Sequence, residues 1–370
     1  MDIKRLAIIY AGTSCVPTDR KELVASLQNL GVEVFVFGVF KDFIHEYYAQ
    51  NNIKYVPIKA DRININIKTD IQTIQSVRKA VKANNIDYSI IYGVRSHPAM
   101  GLGAYLGGSR ILCIVNGKGN LFVGNSIKKR LLRLIAFSLL RAVYYVSHKV
   151  CFQNQDDRDL FLNKCLVHKN KTFTTKGSGI NLYDFKVIPL PYEDKFVFLA
   201  RITDLKGVIE YIKAAAIVKQ IHPQATFTIY GELYGVSHDT KELIEEAHVK
   251  GVIQYRGRTE DVSGALTDCR YFVFPSYYPE GVPRSILQAL ALGRSVITTK
   301  SPGCKDTVKD GYNGFLVEPR DVEILAKKMI WMIEHPKEVE LMSINSRIYA
   351  EENFNVHDIN KLIIEQIDGK

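Results

Sequence analysis

The chain lacks acidic residues over a long central segment. Between Tyr88 and Gln155 there is no Asp or Glu, whereas nine Lys and Arg residues fall there. These cations supply almost all of the formal net charge of +10 that the 370 residues carry. They are Arg95, Arg110, Lys118, Lys128, Lys129, Arg130, Arg133, Arg141 and Lys149. A block of one sign of charge predicts contact with an anionic surface.

Cysteine and long apolar runs are also scarce. The six cysteines form no C-x-x-C and do not pair with His at metal-ligand spacing, so we expect reduced thiols and no metal site. No apolar run approaches the roughly 18 residues of a membrane-spanning helix. The N-terminus has too short an apolar core for a signal peptide. These absences predict a cytoplasmic protein.

Two common nucleotide-binding motifs are missing. No G-x-G-x-x-G follows the first predicted strand, residues 6–10, which argues against a nicotinamide-dependent enzyme. No G-x-x-x-x-G-K-S/T occurs, which argues against a P-loop kinase. Gly12 and Thr13 follow the first strand instead, and we predict that they contact phosphate or an acceptor.

Strand-like and helix-like segments alternate in both halves of the chain, which predicts α/β domains with parallel sheets. Since 370 residues exceed the usual limit of one core, we expect two domains. We predict an N-terminal domain over 1–183, a linker over 184–195, a C-terminal domain over 196–352, and a final helix over 353–370 that packs back on the first domain. Ligands bind at the carboxyl ends of parallel strands, so the active site is expected in the cleft between the two sheets.

Polar residues and glycines follow several predicted strands of the second half. Those strands are residues 196–200, 226–230, 252–256 and 271–274. The residues predicted to bind a donor at their ends are Arg201, Lys206, Gly231, Glu232, Arg256 and Gly257. Cations suit a diphosphate, and glycine permits a close approach of the ligand. Surface cations and ordinary turn glycines are the alternative interpretation.

The loop after residues 271–274 is the most informative feature. It reads Pro-Glu-Gly-Val-Pro from Pro279 to Pro283 and opens a helix. A helix N-terminus presents free N–H groups that suit a phosphate. We therefore place Gly281, Val282 and Pro283 in donor binding, and Glu280 beside a hydroxyl of the sugar. The pattern predicts a nucleotide-sugar site.

Residues 275–293, 296–306 and 311–321 together resemble glycosyltransferase family 4. Residues 117–122 and 152–157 resemble acceptor-side motifs of its bacterial branch that extends polyprenyl-diphosphate-linked glycans. The resemblance implies a GT-B fold of two Rossmann-like domains, a retaining mechanism without a metal or other cofactor, and a UDP-sugar donor. N-acetylgalactosamine, or another N-acetylhexosamine or hexose, is the expected sugar. The implied pathways are capsule, O-antigen or protein glycosylation.

Single positions can be carried over from this resemblance. Arg201 and Lys206 resemble the diphosphate-binding pair of the family. Glu280 matches the first glutamate of its E-x7-E motif, which faces the donor sugar. Gln288 replaces the second glutamate, the usual ribose ligand, and its amide oxygen can still accept a hydrogen bond.

The first half supplies the implied acceptor side. Gly117 and Lys118 lie in the first acceptor-side motif, and Asn116 directly precedes it; we predict that all three contact the acceptor or its phosphate. His97 follows a first-half strand where the family often has a His or a cation near the donor sugar, so we predict a catalytic role. A loop histidine without a ligand is the equal alternative.

Residues 127–146 are expected to form a helix that faces a membrane. Cations and bulky apolar groups share one arc of it at about 100° per residue. The predicted membrane-facing residues are Lys128, Lys129, Arg130, Arg133, Phe137 and Leu140. This combination is typical of an anionic bilayer surface, so we expect a peripheral protein on the inner face of the plasma membrane. A core helix with a solvated basic face is the alternative, and nucleic acid has less support because no known binding module accompanies the cations.

The most specific interpretation is a glycosyltransferase acting on a lipid-linked saccharide. Two others remain open. A nucleotide-sugar epimerase shares the two-domain architecture but does not need a membrane-facing helix, so binding to liposomes distinguishes it. An inactive membrane-associated protein that binds nucleotide sugars would fail to hydrolyse or transfer a donor.

Overall fold

The computed structural model describes residues 2–11, 20–39, 45–60, 67–118 and 126–369. The chain divides into two compact units. The first unit comprises residues 1–178 together with 356–370, and the second comprises residues 179–355.

The first unit is built on a seven-stranded parallel sheet with the order β3-β2-β1-β4-β5-β6-β7. Its strands are β1 (Arg5–Tyr10), β2 (Glu33–Gly38), β3 (Lys54–Pro57), β4 (Tyr88–Tyr92), β5 (Arg110–Val115), β6 (Lys149–Phe152) and β7 (Thr172–Thr174). Its helices are α1 (Lys21–Asn29), α2 (His45–Gln50), α3 (Ile67–Ala83), a π-helical turn (His97–Gly101), α4 (Leu102–Gly107), α5 (Ile127–Val146), α6 (Gln155–Asn163) and a 3-10 turn (Lys169–Lys171). Buried apolar clusters cover both faces of this sheet.

The second unit repeats the architecture with a six-stranded parallel sheet of order β10-β9-β8-β11-β12-β13. Its strands are β8 (Lys195–Leu199), β9 (Thr226–Tyr230), β10 (Gln254–Gly257), β11 (Tyr271–Phe274), β12 (Ser295–Thr299) and β13 (Gly314–Val317). Its helices are α7 (Val208–Ile221), α8 (His238–Val249), α9 (Val262–Thr267), α10 (Arg284–Ala291), α11 (Val322–Glu334) and α12 (Pro336–Phe354), with 3-10 turns at Asp204–Lys206 and Lys305–Thr307.

Both sheets have a topological switch point, where the strand order reverses. In the first unit it lies between β1 and β4, and in the second between β8 and β11. Consecutive strands are wound outward to opposite sides from such a point, so the loops at their carboxyl ends separate and leave room for a ligand. Arg201 and Lys206 follow β8, and Glu280 follows β11.

The last helix, α13 (Val356–Asp368), belongs to the first unit. Its Ile359, Ile363 and Ile367 are buried in the same apolar cluster as Leu23 and Leu27 of α1. The spacing of four residues puts the three isoleucines on one face of the helix. The chain thus leaves the first unit after residue 178 and returns to it at residue 356.

The change of unit precedes the linker expected at residues 184–195. Residues 179–194 belong to the second unit, where arginines fix them to its body. The fully buried Arg294 donates to the carbonyl of Ile188 at 2.8 Å, and Arg347 donates to the carbonyl of Phe185 at 2.6 Å. Proline-rich composition suggested a spacer, but these hydrogen bonds make the segment part of the domain.

Candidate active site

The loops after β8 and β11 meet at the switch point of the second unit. Gly207 ends the first loop and precedes α7, with φ of +82°. A Cβ built at this position would lie 2.2 Å from the carbonyl oxygen of Pro275 in the second loop. The left-handed backbone and the close approach both require glycine here. Gly207 therefore allows Lys206 to stand directly beside the β11 loop.

Lys206 and Glu280 form an ion pair at this junction. The Nζ atom of Lys206 lies 2.5 Å from Oε1 of Glu280, and the two side chains are only 13% and 15% exposed. The same ammonium lies over the rings of Phe274 and Tyr278, at 5.2 and 5.5 Å from their centroids. Partial burial strengthens the pair relative to a surface salt bridge. The residue predicted to bind the diphosphate, Lys206, is thus in direct contact with the residue predicted to bind the sugar, Glu280.

Neighbouring residues hold the Glu280 loop and its carboxylate in place. Ser276 donates to Oε1 of Glu280 at 3.2 Å, and its hydroxyl accepts from the backbone N–H of Tyr278 at 3.2 Å. Gly303 has φ of +79°, and a Cβ there would lie 1.7 Å from the carbonyl oxygen of Gly281. The loop after β12 therefore packs against the Glu280 loop, which limits the positions that the carboxylate can take.

Gly281, Val282 and Pro283 are buried in the turn that leads into α10, which begins at Arg284. Gln288 lies one turn further along this helix and is half-buried. The predicted helix opening is therefore present, with Glu280 in the loop before α10 and Gln288 in the middle of the helix.

Two of the remaining residues predicted to bind the donor are exposed to solvent. Arg201 is exposed, and its guanidinium lies 4.7 Å from the ring centroid of Tyr234. Glu232 is also exposed. Arg201 does not share the buried environment of Lys206, so the predicted cationic pair consists of one fixed and one solvated member.

Gly231 and Gly257 join the carboxyl ends of β9 and β10. The N–H of Gly231 donates to the carbonyl of Gly257 at 2.7 Å, and the hydroxyl of Tyr255 donates to the carbonyl of Gly231 at 3.0 Å. The guanidinium of Arg256 is exposed and donates to the side chain of Gln254 at 2.8 Å. These contacts give both glycines a structural role in addition to the predicted ligand role.

Sequence reasoning missed a cluster beside the Lys206 loop. The hydroxyl of Tyr277 donates to the carbonyl of Asp204 at 3.0 Å, and Arg320 lies over its ring at 4.7 Å. Burial raises the pKa of Tyr277, and the nearby Glu210 adds to the rise. Glu210 is 8% exposed at the first turn of α7. The Tyr-Tyr pair after β11 was the available signal, because aromatic residues in a polar loop usually pack.

On the first unit, the described start of the first acceptor-side motif lies close to the second motif. Asn116 is exposed directly after β5, Gly117 is buried, and Lys118 is half-buried. Asp157 is 1% exposed in α6, after β6, and its carboxylate interacts with Lys118. Burial raises the pKa of Asp157 to about 6, whereas the positive charge of Lys118 acts in the opposite direction. Strands β5 and β6 pair in parallel, which brings both motifs to one sheet edge.

The structure places His97, for which a catalytic role was predicted, inside the core of the first unit. Its ring is fully buried, and Nδ1 lies 2.9 Å from the hydroxyl of Tyr144 in α5. Burial lowers the pKa of His97 to about 4. This burial favours the alternative, a histidine without a ligand, and the catalytic role stays a prediction. Gly12 and Thr13 lie outside the described residues.

The face predicted for the membrane is only partly correct. Leu140 is 1% exposed, and Phe137 packs against the buried cluster of the first unit. Both therefore point to the core, contrary to prediction, because α5 is apolar around most of its circumference. Arg130 is exposed and Arg133 is half-buried, while the side chains of Lys128 and Lys129 lie outside the description.

Among the described residues, one group of side chains could hold a metal ion. His238, Asp239 and Glu242, all exposed on α8, come close enough together to hold a metal ion. No described helix combines the length and the hydropathy needed to cross a bilayer.

The chain is similar to a known protein family and to two characterised transferases. Residues 184–349 match the family described as glycosyl transferases group 1. The chain is 25% identical to N,N'-diacetylbacillosaminyl-diphospho-undecaprenol alpha-1,3-N-acetylgalactosaminyltransferase of Campylobacter jejuni, over 86% of each chain. It is 23% identical to UDP-Gal:alpha-D-GlcNAc-diphosphoundecaprenol alpha-1,3-galactosyltransferase of Escherichia coli, over 83% of this chain and 82% of the relative.

Solved structures share the fold across both units. HepE of Anabaena, in complex with UDP and glucose, has a TM-score of 0.79 at 15% identity, covering 99% of this chain and all of that one. A glycosyltransferase of Rickettsia africae has a TM-score of 0.76 at 18% identity, covering 99% and 98% of the two chains.

Proposed function

We propose that this chain, a glycosyltransferase of the GT-B fold whose residues 184–349 match glycosyl transferases group 1, transfers a sugar from a UDP-sugar to a saccharide on a polyprenyl diphosphate. The proposed sugar is an N-acetylhexosamine, with N-acetylgalactosamine the first choice. The product extends a surface polysaccharide or a protein-linked glycan. The main support is the similarity to the Campylobacter transferase, which extends over both units.

We assign the donor to the switch point of the second unit. Lys206 has three N–H donors, so it can hold Glu280 and a phosphate oxygen at the same time. The N-terminus of α7 follows immediately and adds positive potential at the same place. Arg201, which is solvated, can turn toward the second phosphate. The solved complex of HepE with UDP and glucose supports a UDP donor.

Glu280 orients the sugar in this proposal. A carboxylate attracts the hydroxyl groups of a sugar and repels phosphate, so its place beside Lys206 fixes which end of the donor lies where. Ser276 and the loop at Gly303 hold the carboxylate in position. Gln288 accepts a hydrogen bond from the ribose through its amide oxygen.

We propose net retention at the anomeric carbon. The names of both relatives specify alpha linkages, and UDP-linked galactose and N-acetylgalactosamine carry the sugar in the alpha configuration. The cations at the switch point would stabilise the UDP that leaves, in the role that a metal ion has in other transferases. The acceptor would bind the first unit, where Asn116, Lys118 and Asp157 lie at one sheet edge.

We also propose that the enzyme works on the cytoplasmic face of a membrane without crossing it, since a polyprenyl diphosphate carries its saccharide at the bilayer surface. The test of the function is release of UDP or GDP from a panel of nucleotide sugars, with and without a lipid-linked disaccharide. Acceptor-dependent release of UDP, with an alpha-linked product by NMR, is the expected result. An epimerase would instead return a modified nucleotide sugar without acceptor.

A further inference from the structure

Helix α5 carries apolar side chains on the side that faces away from its own domain. We call this set the outer stripe. Its members are Ile127, Leu131, Leu134, Ile135, Leu139 and Tyr145, which are between 50% and 85% exposed. Soluble proteins seldom leave so continuous an apolar surface uncovered without a partner.

The stripe is distinct from the face that holds the helix in place. Leu140, Val143 and Tyr144 are at most 2% exposed and belong to the core of the first unit. At about 100° per residue, the outer stripe spans an arc of about 140° on the opposite side. From Ile127 to Tyr145 it extends for about 27 Å along the helix axis. The protein core therefore does not account for these side chains.

Cations border the stripe. Arg130 and Arg141 are exposed on the helix itself. Arg141 donates to the carbonyls of Cys165 and Lys164 at 2.9 and 3.0 Å, which brings the segment after α6 to the end of the helix. Lys171 lies over the ring of Tyr145 at 5.6 Å from its centroid. The segment from Tyr88 to Gln155, which includes α5, contains no acidic residue that would offset these cations.

We propose that the outer stripe of α5 lies in the headgroup region of an anionic bilayer and docks the first unit there. The apolar groups enter the boundary of the acyl chains, the bordering cations attract anionic lipid, and Tyr145 suits the interface because it has an apolar ring and a polar hydroxyl. The proposal rests on the proposed function only in that a lipid-linked acceptor requires such a surface.

A second apolar set in the chain offers a matched control. Leu341, Ile344 and Ile348 of α12 are 62%, 59% and 38% exposed. Their helix has more acidic than basic residues, with Glu338, Glu340, Glu351 and Glu352 against Lys337 and Arg347. If exposed apolar area alone caused binding to vesicles, both sets would contribute to it. If binding requires apolar area together with cations, only the outer stripe will contribute.

The experiment measures sedimentation of the full chain with vesicles of phosphatidylcholine, with and without phosphatidylglycerol. The test variant is Leu131→Gln, Leu134→Gln, Ile135→Gln, and the control variant is Leu341→Gln, Ile344→Gln, Ile348→Gln. We expect the wild type and the control to bind the anionic vesicles alike. We expect the test variant to bind these vesicles at least about tenfold more weakly. It places polar amides where the wild type buries apolar side chains in the bilayer.

A charge variant provides an independent measurement. Arg130→Gln removes an exposed cation and is expected to weaken binding to the anionic vesicles about fivefold, which corresponds to about 1 kcal/mol per cation near the surface. Its binding to phosphatidylcholine alone should not change. If Arg130→Gln and the test variant both bind like the wild type, the proposal is wrong.

The measurements also separate this proposal from other outcomes. If the wild type is a dimer that the test variant converts to monomer, and neither binds vesicles, the stripe is a contact between two copies and the lipid proposal is overturned. Transfer to a short water-soluble acceptor should persist in the test variant. If no variant transfers sugar but vesicle binding follows the pattern above, the proposed function fails while the docking surface stands.

Discussion

Lys206 is the residue on which the donor site depends, because it contacts Glu280 and stands beside the start of α7. Replacing Glu280 by Gln keeps the shape of the side chain and removes its charge. Transfer should fall about a hundredfold, the usual cost of a misplaced reacting group. Affinity for UDP should stay nearly constant, because the role we propose for Glu280 is to orient the sugar and not the diphosphate. Steady-state kinetics and calorimetric titration with UDP measure the two effects.

Lys206→Ala and Arg201→Ala should behave differently from Glu280→Gln. Each removes a charge-assisted hydrogen bond that we propose to the diphosphate, so the affinity for UDP should fall tenfold or more, by about 1.5–3 kcal/mol. The loss should be larger for Lys206, which is the more buried cation. Equal behaviour of all three variants in both assays would contradict the roles assigned here.

Gln288 is the position at which this chain departs from the pattern of the family it resembles. Gln288→Glu should raise the affinity for UDP about fivefold, because a carboxylate accepts a stronger hydrogen bond from a ribose hydroxyl than an amide does. Gln288→Ala should lower it. An unchanged affinity in both variants would show that this side chain does not contact the nucleotide.

The buried His97 predicts a pH dependence of stability. The unfolded chain binds a proton below pH 6.5, whereas burial holds the folded pKa at about 4. The contribution of His97 to the free energy of unfolding should therefore fall as the pH drops from 6.5 to 4, by about 3 kcal/mol. Urea unfolding measures it. His97→Asn, which can keep a hydrogen bond to Tyr144, should flatten this dependence, and an equally steep decline in the variant would assign it to other groups.

At the scale of elements, α5 has two faces with opposite roles. Leu140→Ala should destabilise the protein by about 2–5 kcal/mol, because it leaves a cavity in the core. Leu131→Ala should change stability by less than about 0.5 kcal/mol, because its side chain is 61% exposed. Chemical denaturation of the two variants compares the faces directly. Similar losses would mean that the outer stripe is covered by protein.

The strands were the most predictable elements. Strands buried on both faces of a parallel sheet read as continuous apolar runs, and the observed bounds of β9 and β11 match the predicted ones. Strand β7 was missed because it has three residues in a lysine-rich segment and lies at the sheet edge. The exposed face of α5 was also misjudged, because a helix that is apolar on most sides leaves periodicity no clear direction.

The donor loop was predictable in part. Pro and Gly residues around Glu280 indicated a turn into a helix, and that turn is present. The direct contact of Lys206 with Glu280 was not foreseen, because it joins residues 74 positions apart and depends on the close approach at Gly207. Burial of His97 was equally hidden, since its partner Tyr144 is 47 residues away.

At the scale of the whole molecule, two Rossmann-like units divide the work in our proposal. The second unit offers cations and a helix N-terminus for the donor, and the first has the acid-free segment. In the proposed mechanism the cations stabilise the leaving UDP without a metal, so transfer should continue in excess EDTA. Loss of turnover that magnesium restores would contradict this part of the mechanism.

The central claim is acceptor-dependent transfer from a UDP-sugar at the Lys206–Glu280 site. The most direct measurement is release of UDP from UDP-N-acetylgalactosamine and related donors, with and without a polyprenyl-diphosphate-linked disaccharide, for the wild type and Glu280→Gln. We predict release that requires the acceptor in the wild type and is about a hundredfold slower in the variant. Acceptor-independent conversion of the donor, or equal rates in the two proteins, would contradict the account.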